Sequence, residues 1–132
     1  MEINQITLPC IDYAASVKFY QQLGLVQIVD APPRYARFES QTGHGSTLSI
    51  HNVADLSPSP TVVYFDHASA KALDTRVRQL KDKGVRFISG PRDENWGWRE
   101  ARLHDPAGNQ LCLMFAGTIR RFPDWRLDGR KA

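Results

Sequence analysis

The sequence predicts a single α+β domain built from two similar βαβββ halves that cup a small-molecule pocket. Three observations carry that prediction. A helix that stops at glycine and passes into an apolar strand occurs twice, at Leu23-Gly24-Leu25-Val26 and at Lys83-Gly84-Val85-Arg86-Phe87. The repeat distance is near half of the 132 residues, a length that suits one domain and not two ordinary ones. Most strand-like segments alternate apolar and polar residues, so a sheet built from them has one face to bury and one polar face. Each half alone would leave a sheet face uncovered, so the expectation is that the two pair into one cupped mixed sheet.

The elements follow in order. Residues 3–9 read as a strand with Ile6 and Leu8 on one face and Gln5 and Thr7 on the other. Asp12 is placed to cap a helix whose apolar face carries Val17, Tyr20 and Leu23 and which Gly24 ends. Residues 25–29 resume as strand, and Asp30-Ala31-Pro32-Pro33 turns the chain. Residues 35–39 set Ala36 and Phe38 against Arg37 and Glu39. After a turn at 41–45, residues 46–51 set Leu48 and Ile50 against Thr47, Ser49 and His51. This completes a first module at about 1–52. A linker at 53–60, with Ser57-Pro58-Ser59-Pro60, leads to a second module at about 61–116.

The second module repeats the order. Residues 61–65 are an apolar strand, and Ser69 caps a helix carrying Leu73, Val77 and Leu80, which Gly84 ends. Residues 85–88 read as strand, 90–95 as loop, and 96–103 as a strand with Ala101 and Leu103 opposite Glu100 and Arg102. His104-Asp105-Pro106-Ala107-Gly108-Asn109 is a turn, because proline sets φ early and glycine allows positive φ later. Residues 110–115 close the module, with Leu111, Leu113 and Phe115 opposite Gln110, Cys112 and Met114. Residues 117–132 form a tail whose Ile119, Phe122, Trp125 and Leu127 are expected to pack on the domain or on a partner subunit.

Composition excludes several classes. Enough apolar residues are present, 42%, to offset chain entropy, so a disordered chain is not expected. No apolar run reaches the roughly 18 residues of a membrane span, and the start Met1-Glu2-Ile3-Asn4-Gln5 lacks the pattern of a secretory signal. The two cysteines, Cys10 and Cys112, lack a CxxC spacing, which favours a reduced, cytoplasmic protein. The net charge of +3 is mild, with basic residues gathered near the C-terminus and no basic stripe for nucleic acid. The expected partner is a small molecule, with neither nucleic acid nor membrane.

The face opposite the helices is polar: Gln5, Thr7, Arg37, Glu39, Ser49, His51, Glu100, Arg102 and Gln110. It reads either as a pocket lining or as a plain water-facing sheet. His51 has the pKa range for acid–base work and faces that side, or it lines the pocket by hydrogen bonding. Glu100 and Arg102 form a charge pair or contact a polar ligand. Arg37 holds a ligand carboxylate through its fork, or pairs with Glu39 or Glu100. Trp96 and Trp98 bracket Gly97, and Trp98 either stacks on a flat ligand or joins a core. Cys112 reads as a small buried side chain, and His44, His67 and His104 as exposed or turn residues.

Phe19-Tyr20, Leu23-Gly24-Leu25 and Asp105-Pro106-Ala107-Gly108-Asn109, in this order around an internal repeat, resemble the vicinal oxygen chelate superfamily of glyoxalases, bleomycin-resistance proteins and extradiol dioxygenases. Residues 96–102 and Pro123-Asp124-Trp125-Arg126 resemble an uncharacterised glyoxalase-like subgroup within it. The resemblance implies the paired-module fold and, in many members, a divalent metal held by His, Glu or Gln from the first and last strands of each half. Those positions fall here on Gln5, on Ser49 with His51 beyond it, on residues 61–64, and on Cys112. They give too few His or carboxylate ligands for the usual site. The expectation is therefore a small-molecule protein without the family's metal. His51 and Glu100 are its candidate catalytic residues, and Gln5, Arg37, Ser49, Trp98, Arg102 and Cys112 its candidate ligand contacts. Two alternatives stay open: a metal-dependent lyase or dioxygenase, whose ion would need a shifted site of Glu100, His51 and Gln5 because zinc on Cys112 and His51 alone has an incomplete shell, and a protein that sequesters a planar antibiotic. The resemblance also implies a homodimer as an open assembly.

Overall fold

The computed structural model describes residues 3–56 and 61–132. Each half contributes its own four-stranded mixed sheet, and the two helices make the chain α+β. The chain divides into two compact units. The first takes residues up to Thr61 together with His104–Asn109, and the second takes Val62–Leu103 with Gln110–Ala132. The linker expected at 53–60 is described only as far as residue 56; residues 57–60 lie outside the described part.

In the first unit, β1 (Gln5–Cys10), α1 (Tyr13–Leu23), β2 (Val26–Ala31), β3 (Tyr35–Glu39) and β4 (Thr47–Asn52) form a sheet of order β1-β4-β3-β2. β1 runs parallel to β4, and β3 lies antiparallel to both β4 and β2. The Asp12 side chain accepts from Ala15 N at 3.0 Å, and Gly24 closes α1 in the left-handed region at φ 105°. The core lies where alternation puts it: Leu8, Cys10, Ala36, Phe38, Leu48 and Ile50 are buried on one sheet face with Tyr20 and Leu23 of α1. The helix face differs in one respect, since Ser16 is buried and Val17 is only half-buried.

Asp105 belongs to this unit and organises its turn. Its carboxylate accepts from Tyr20 Oη at 2.7 Å, from Asn109 Nδ2 at 2.7 Å, and from the Ala107 and Asn109 backbone N–H groups at 2.9 and 2.8 Å. Asn109 Nδ2 also donates to the Pro9 carbonyl at 2.9 Å, which ties the turn to β1.

In the second unit, β5 (Val62–Asp66), α2 (Ala70–Asp82), β6 (Ser89–Asp93), β7 (Arg99–His104) and β8 (Gln110–Phe115) form a sheet of order β5-β8-β7-β6. Ser69 caps α2 by accepting from Ala72 N, and Leu73, Val77 and Leu80 are the buried helix residues. They share the core with Val63, Ala101, Leu103, Leu111 and Leu113.

Two expectations are corrected here. Residues 85–88, read as strand, carry no ladder of their own, and β6 falls on residues read as loop. The register shifts between Ser89 and Arg92, and at Gly90 an added Cβ would collide with the Glu100 carbonyl. Glycine there lets the two backbones approach, which the apolar pattern does not report. Trp96 and Trp98 lie in the turn before β7, where Gly97 N bonds to the Glu94 carbonyl, and not on the strand itself. In the tail, Phe122 is half-buried, but Trp125 and Leu127 are exposed at 74% and 106%.

Candidate functional site

The polar face of the first unit converges on one phenol. Parallel pairing sets Gln5 opposite Thr47 and Thr7 opposite Ser49, and antiparallel pairing sets Arg37 opposite Ser49 and Tyr35 opposite His51. Period-2 alternation then turns all of these side chains to the same side. Tyr35 Oη lies 2.7 Å from Ser49 Oγ, accepts from Arg37 Nε at 2.9 Å and accepts from Gln5 Nε2 at 3.4 Å. The Arg37 guanidinium also sits over the Tyr35 ring, 5.5 Å from its centroid. Partial burial pushes the Tyr35 hydroxyl up, but the Ser49 and Arg37 hydrogen bonds, the Arg37 charge and Gln5 outweigh it and bring it below its ordinary value of 10.0.

Gln5 donates to Thr7 Oγ1 and Tyr35 Oη and accepts from Thr47 Oγ1 at 3.3 Å. Ser49 is wholly buried, and His51 is exposed at the end of β4. Arg37 makes no ion pair among the described residues, so it pairs with neither Glu39 nor Glu100. Its outer nitrogens Nη1 and Nη2 have no described partner, and the side chain is half-buried.

In the second unit, Glu100 is 3% exposed and satisfied from both sides. Oε1 accepts from Trp96 Nε1 at 3.0 Å, and Oε2 accepts from Arg102 Nη2 at 2.9 Å and Nε at 3.2 Å. Arg102 also reaches Tyr64 Oη at 3.4 Å, and the Tyr64 ring meets Trp98 edge-on at 6.0 Å between centroids. Burial lowers the Arg102 guanidinium, yet the Glu100 and Tyr64 bonds dominate and raise it above its usual range. Cys112 packs with Met114, Ala116, Val62 and Trp98 in an apolar cluster. Its thiol donates to the Leu113 carbonyl at 3.8 Å, and burial, with Glu100 nearby, pushes it up to about 12. It is protonated at neutral pH, and the Glu100 carboxylate beside it already accepts from Trp96 and Arg102.

The candidates thus fall into two groups. Gln5, Arg37, Ser49 and, by register, His51 gather around Tyr35 on the first unit's face. Glu100, Arg102, Trp98 and Cys112 gather on the second unit's β5–β8–β7 face, where the charges neutralise each other. Tyr35 itself is not among the sequence candidates. It shares the alternation parity of Arg37 and Glu39, and that parity is the signal that could have found it.

Residues 2–113 match the family profile described as Glyoxalase/Bleomycin resistance protein/Dioxygenase superfamily. The chain belongs to that superfamily. Solved structures agree. A glyoxalase/bleomycin resistance protein/dioxygenase from Nocardioides is 26% identical, with a TM-score of 0.74 over 88% of this chain and 83% of that one. A family enzyme from Burkholderia phytofirmans is similar in fold at 19% identity, with a TM-score of 0.73 over 88% and 99%. A lactoylglutathione lyase from Agrobacterium tumefaciens is similar at 16% identity, with a TM-score of 0.71 over 86% and 92%. No curated protein matches the sequence.

The superfamily's metal positions are occupied here by groups that do not fit a hard divalent ion. Gln5 bonds Thr7, Thr47 and Tyr35 through its amide; Ser49 faces Tyr35; residues 61–64 offer no His or carboxylate; and the Cys112 thiol is buried and protonated. Among the described residues no group of three or more His, Cys, Asp or Glu is placed to share an ion. Zinc on Cys112 would need a thiolate that its surroundings disfavour, and Glu100 has both oxygens committed to Trp96 and Arg102.

Proposed function

We propose that this glyoxalase-superfamily chain binds a small carboxylate-bearing molecule on the polar face of its first unit, without the divalent metal used elsewhere in the superfamily. The observation that carries the reading is the half-buried Arg37 guanidinium, whose inner Nε is fixed on Tyr35 while its outer nitrogens have no described partner. A guanidinium held at one end and open at the other is preorganised for a planar anion. Ser49, Gln5 and Tyr35 supply neutral hydrogen-bonding groups beside it. His51 stands across from Tyr35 at the exposed end of β4, where an entering ligand would pass it.

Titration calorimetry of the purified protein against small mono- and dicarboxylic acids and their neutral amides tests this. At least one carboxylate should bind while its amide does not, and Arg37→Met should weaken binding about tenfold to a hundredfold, the span of a charge-assisted pair. Affinity should be unchanged after exhaustive chelation. If no carboxylate binds, or Arg37→Met binds as well as the parent, the reading fails. If binding appears only with stoichiometric Zn, Ni, Mn or Fe, the chain is instead a metal-dependent lyase or dioxygenase. An antibiotic-sequestering role has less support, because Trp96 is bonded to Glu100 and Trp98 packs on Tyr64.

A further inference from the structure

We propose that the Tyr35 hydroxyl is the proton-accepting group of this face, held ready for ionisation by Ser49, Arg37 and Gln5. The inference rests on the carboxylate-binding reading for its ligand class, and on the local geometry for everything else. A neutral phenol has one hydrogen to donate and an oxygen that readily accepts two. Around Tyr35 Oη stand two groups that can only donate, Arg37 Nε at 2.9 Å and Gln5 Nε2 at 3.4 Å. The third neighbour, Ser49 Oγ at 2.7 Å, carries a hydrogen of its own.

Two hydroxyl hydrogens therefore compete for one Tyr35–Ser49 contact. Ser49 is wholly buried, with Tyr35 its one side-chain partner among the described residues, so the losing hydrogen has no second hydroxyl to turn to. Removing the Tyr35 proton resolves the conflict. Ser49, Arg37 and Gln5 then all donate to one phenolate oxygen, an arrangement that favours the charged form.

The charge nearest the Tyr35 oxygen, that of Arg37, has the sign that favours ionisation. On its own strand Tyr35 has Arg37 two residues away, with Glu39 two further along the same face. His51 stands directly across on β4, and β1 brings only the neutral Gln5 and Thr7. On the helix side the Tyr13 hydroxyl shares its one hydrogen between Asp30 and the Tyr35 carbonyl, so that carboxylate is engaged by another phenol. Among the described residues no carboxylate bonds the Tyr35 oxygen itself. The hydroxyl accordingly lies below its ordinary value, while Tyr13 is pushed up to about 12, by burial first and then by Asp30.

The ligand class this serves is a carboxylate with an acidic proton next to it, as on carbon beside a carbonyl. The carboxylate rests on the outer Arg37 nitrogens. With Tyr35 in its phenolate form, the bond between the ligand atom and its proton breaks, its electron pair stays on the ligand as an anion facing Arg37, and the proton joins the phenolate oxygen to make the Tyr35 O–H bond.

Ultraviolet titration of tyrosinate absorbance on the full chain, from pH 7 to 12, tests this without any ligand. The expected result is a step of one tyrosine below the ordinary range. It should be lost in Tyr35→Phe, and moved to higher pH in Arg37→Met and in Ser49→Ala. Circular dichroism across the same range checks that each variant is folded, and Phe preserves the ring in case the other two are not. A wild-type titration with no such step, or one that survives in Tyr35→Phe, overturns the proposal while leaving carboxylate binding to Arg37 standing. Failure of every carboxylate to bind removes the reading above, and the tyrosinate step still decides this one.

Discussion

Asp105 shows how much of a motif that carries a family resemblance can be packing chemistry. Its carboxylate is 5% exposed and takes donors from Tyr20, Ala107 and Asn109, so its lone pairs are spent on holding the turn before β8 to α1 and β1. Tyr20→Phe should remove one buried charge-assisted bond and destabilise the fold by about 1–3 kcal/mol. Urea unfolding followed by circular dichroism measures it, and an unchanged midpoint would show that Ala107 and Asn109 satisfy the carboxylate without Tyr20. Both residues stand in the segments that carry the family resemblance, so their presence was legible. Their partnership was not, because 85 positions separate them and nothing in either local pattern encodes the contact. Tyr35 was missed for a different reason. A search for His and carboxylate ligands passes over a phenol, and only the strand register shows that Arg37, Ser49 and Gln5 all aim at it.

At the scale of elements, period-2 and period-3.6 patterns located both helices, their caps and most strands, since burial on one side is what those patterns record. They failed at β6, whose sequence Ser-Gly-Pro-Arg-Asp has no apolar alternation at all. That strand exists because Gly90 lets the chain approach β7, with φ at +84° and the Glu100 carbonyl where a side chain would begin. Gly97 is a useful contrast. It too has positive φ, but its added Cβ would meet only the terminal carbon of Ile119, at 2.8 Å, which can swing away. Gly90→Ala should therefore cost several kcal/mol or abolish folding, while Gly97→Ala should cost about 1–2 kcal/mol, the usual left-handed penalty. Paired thermal melts of the two variants check the order; equal losses would mean that backbone conformation, and not the close approach, sets the requirement for glycine at residue 90.

Across the whole molecule, the buried thiols and the buried Tyr20 phenol are held in their neutral forms. Burial raises Cys10, pushes Cys112 up to about 12 and carries Tyr20 well above the ordinary tyrosine range, with Asp105 adding to the last; Tyr13 also lies at about 12. An acid whose folded pKa is raised binds its proton in the folded state after the unfolded chain has released it. Its contribution to stability is whole below the unfolded value, 9.0 for cysteine and 10.0 for tyrosine, and is lost as pH rises towards the folded value. Tyr35 runs the other way and adds stability as pH rises through its lowered folded value. Three cysteine or tyrosine groups besides Cys112 are raised and one is lowered, so the net slope is downward. Unfolding free energy should be level near pH 8 and fall steadily between about pH 9 and 12. Cys112→Ala should make that fall shallower even if the smaller side chain lowers stability at pH 8, because a cavity is indifferent to pH and a thiol is not. Urea titrations of both proteins at pH 8, 10 and 11 separate the two effects. Parallel curves would mean that Cys112 ionises as freely in the folded protein as in the unfolded one, and would reopen the case for a thiolate ligand at that position.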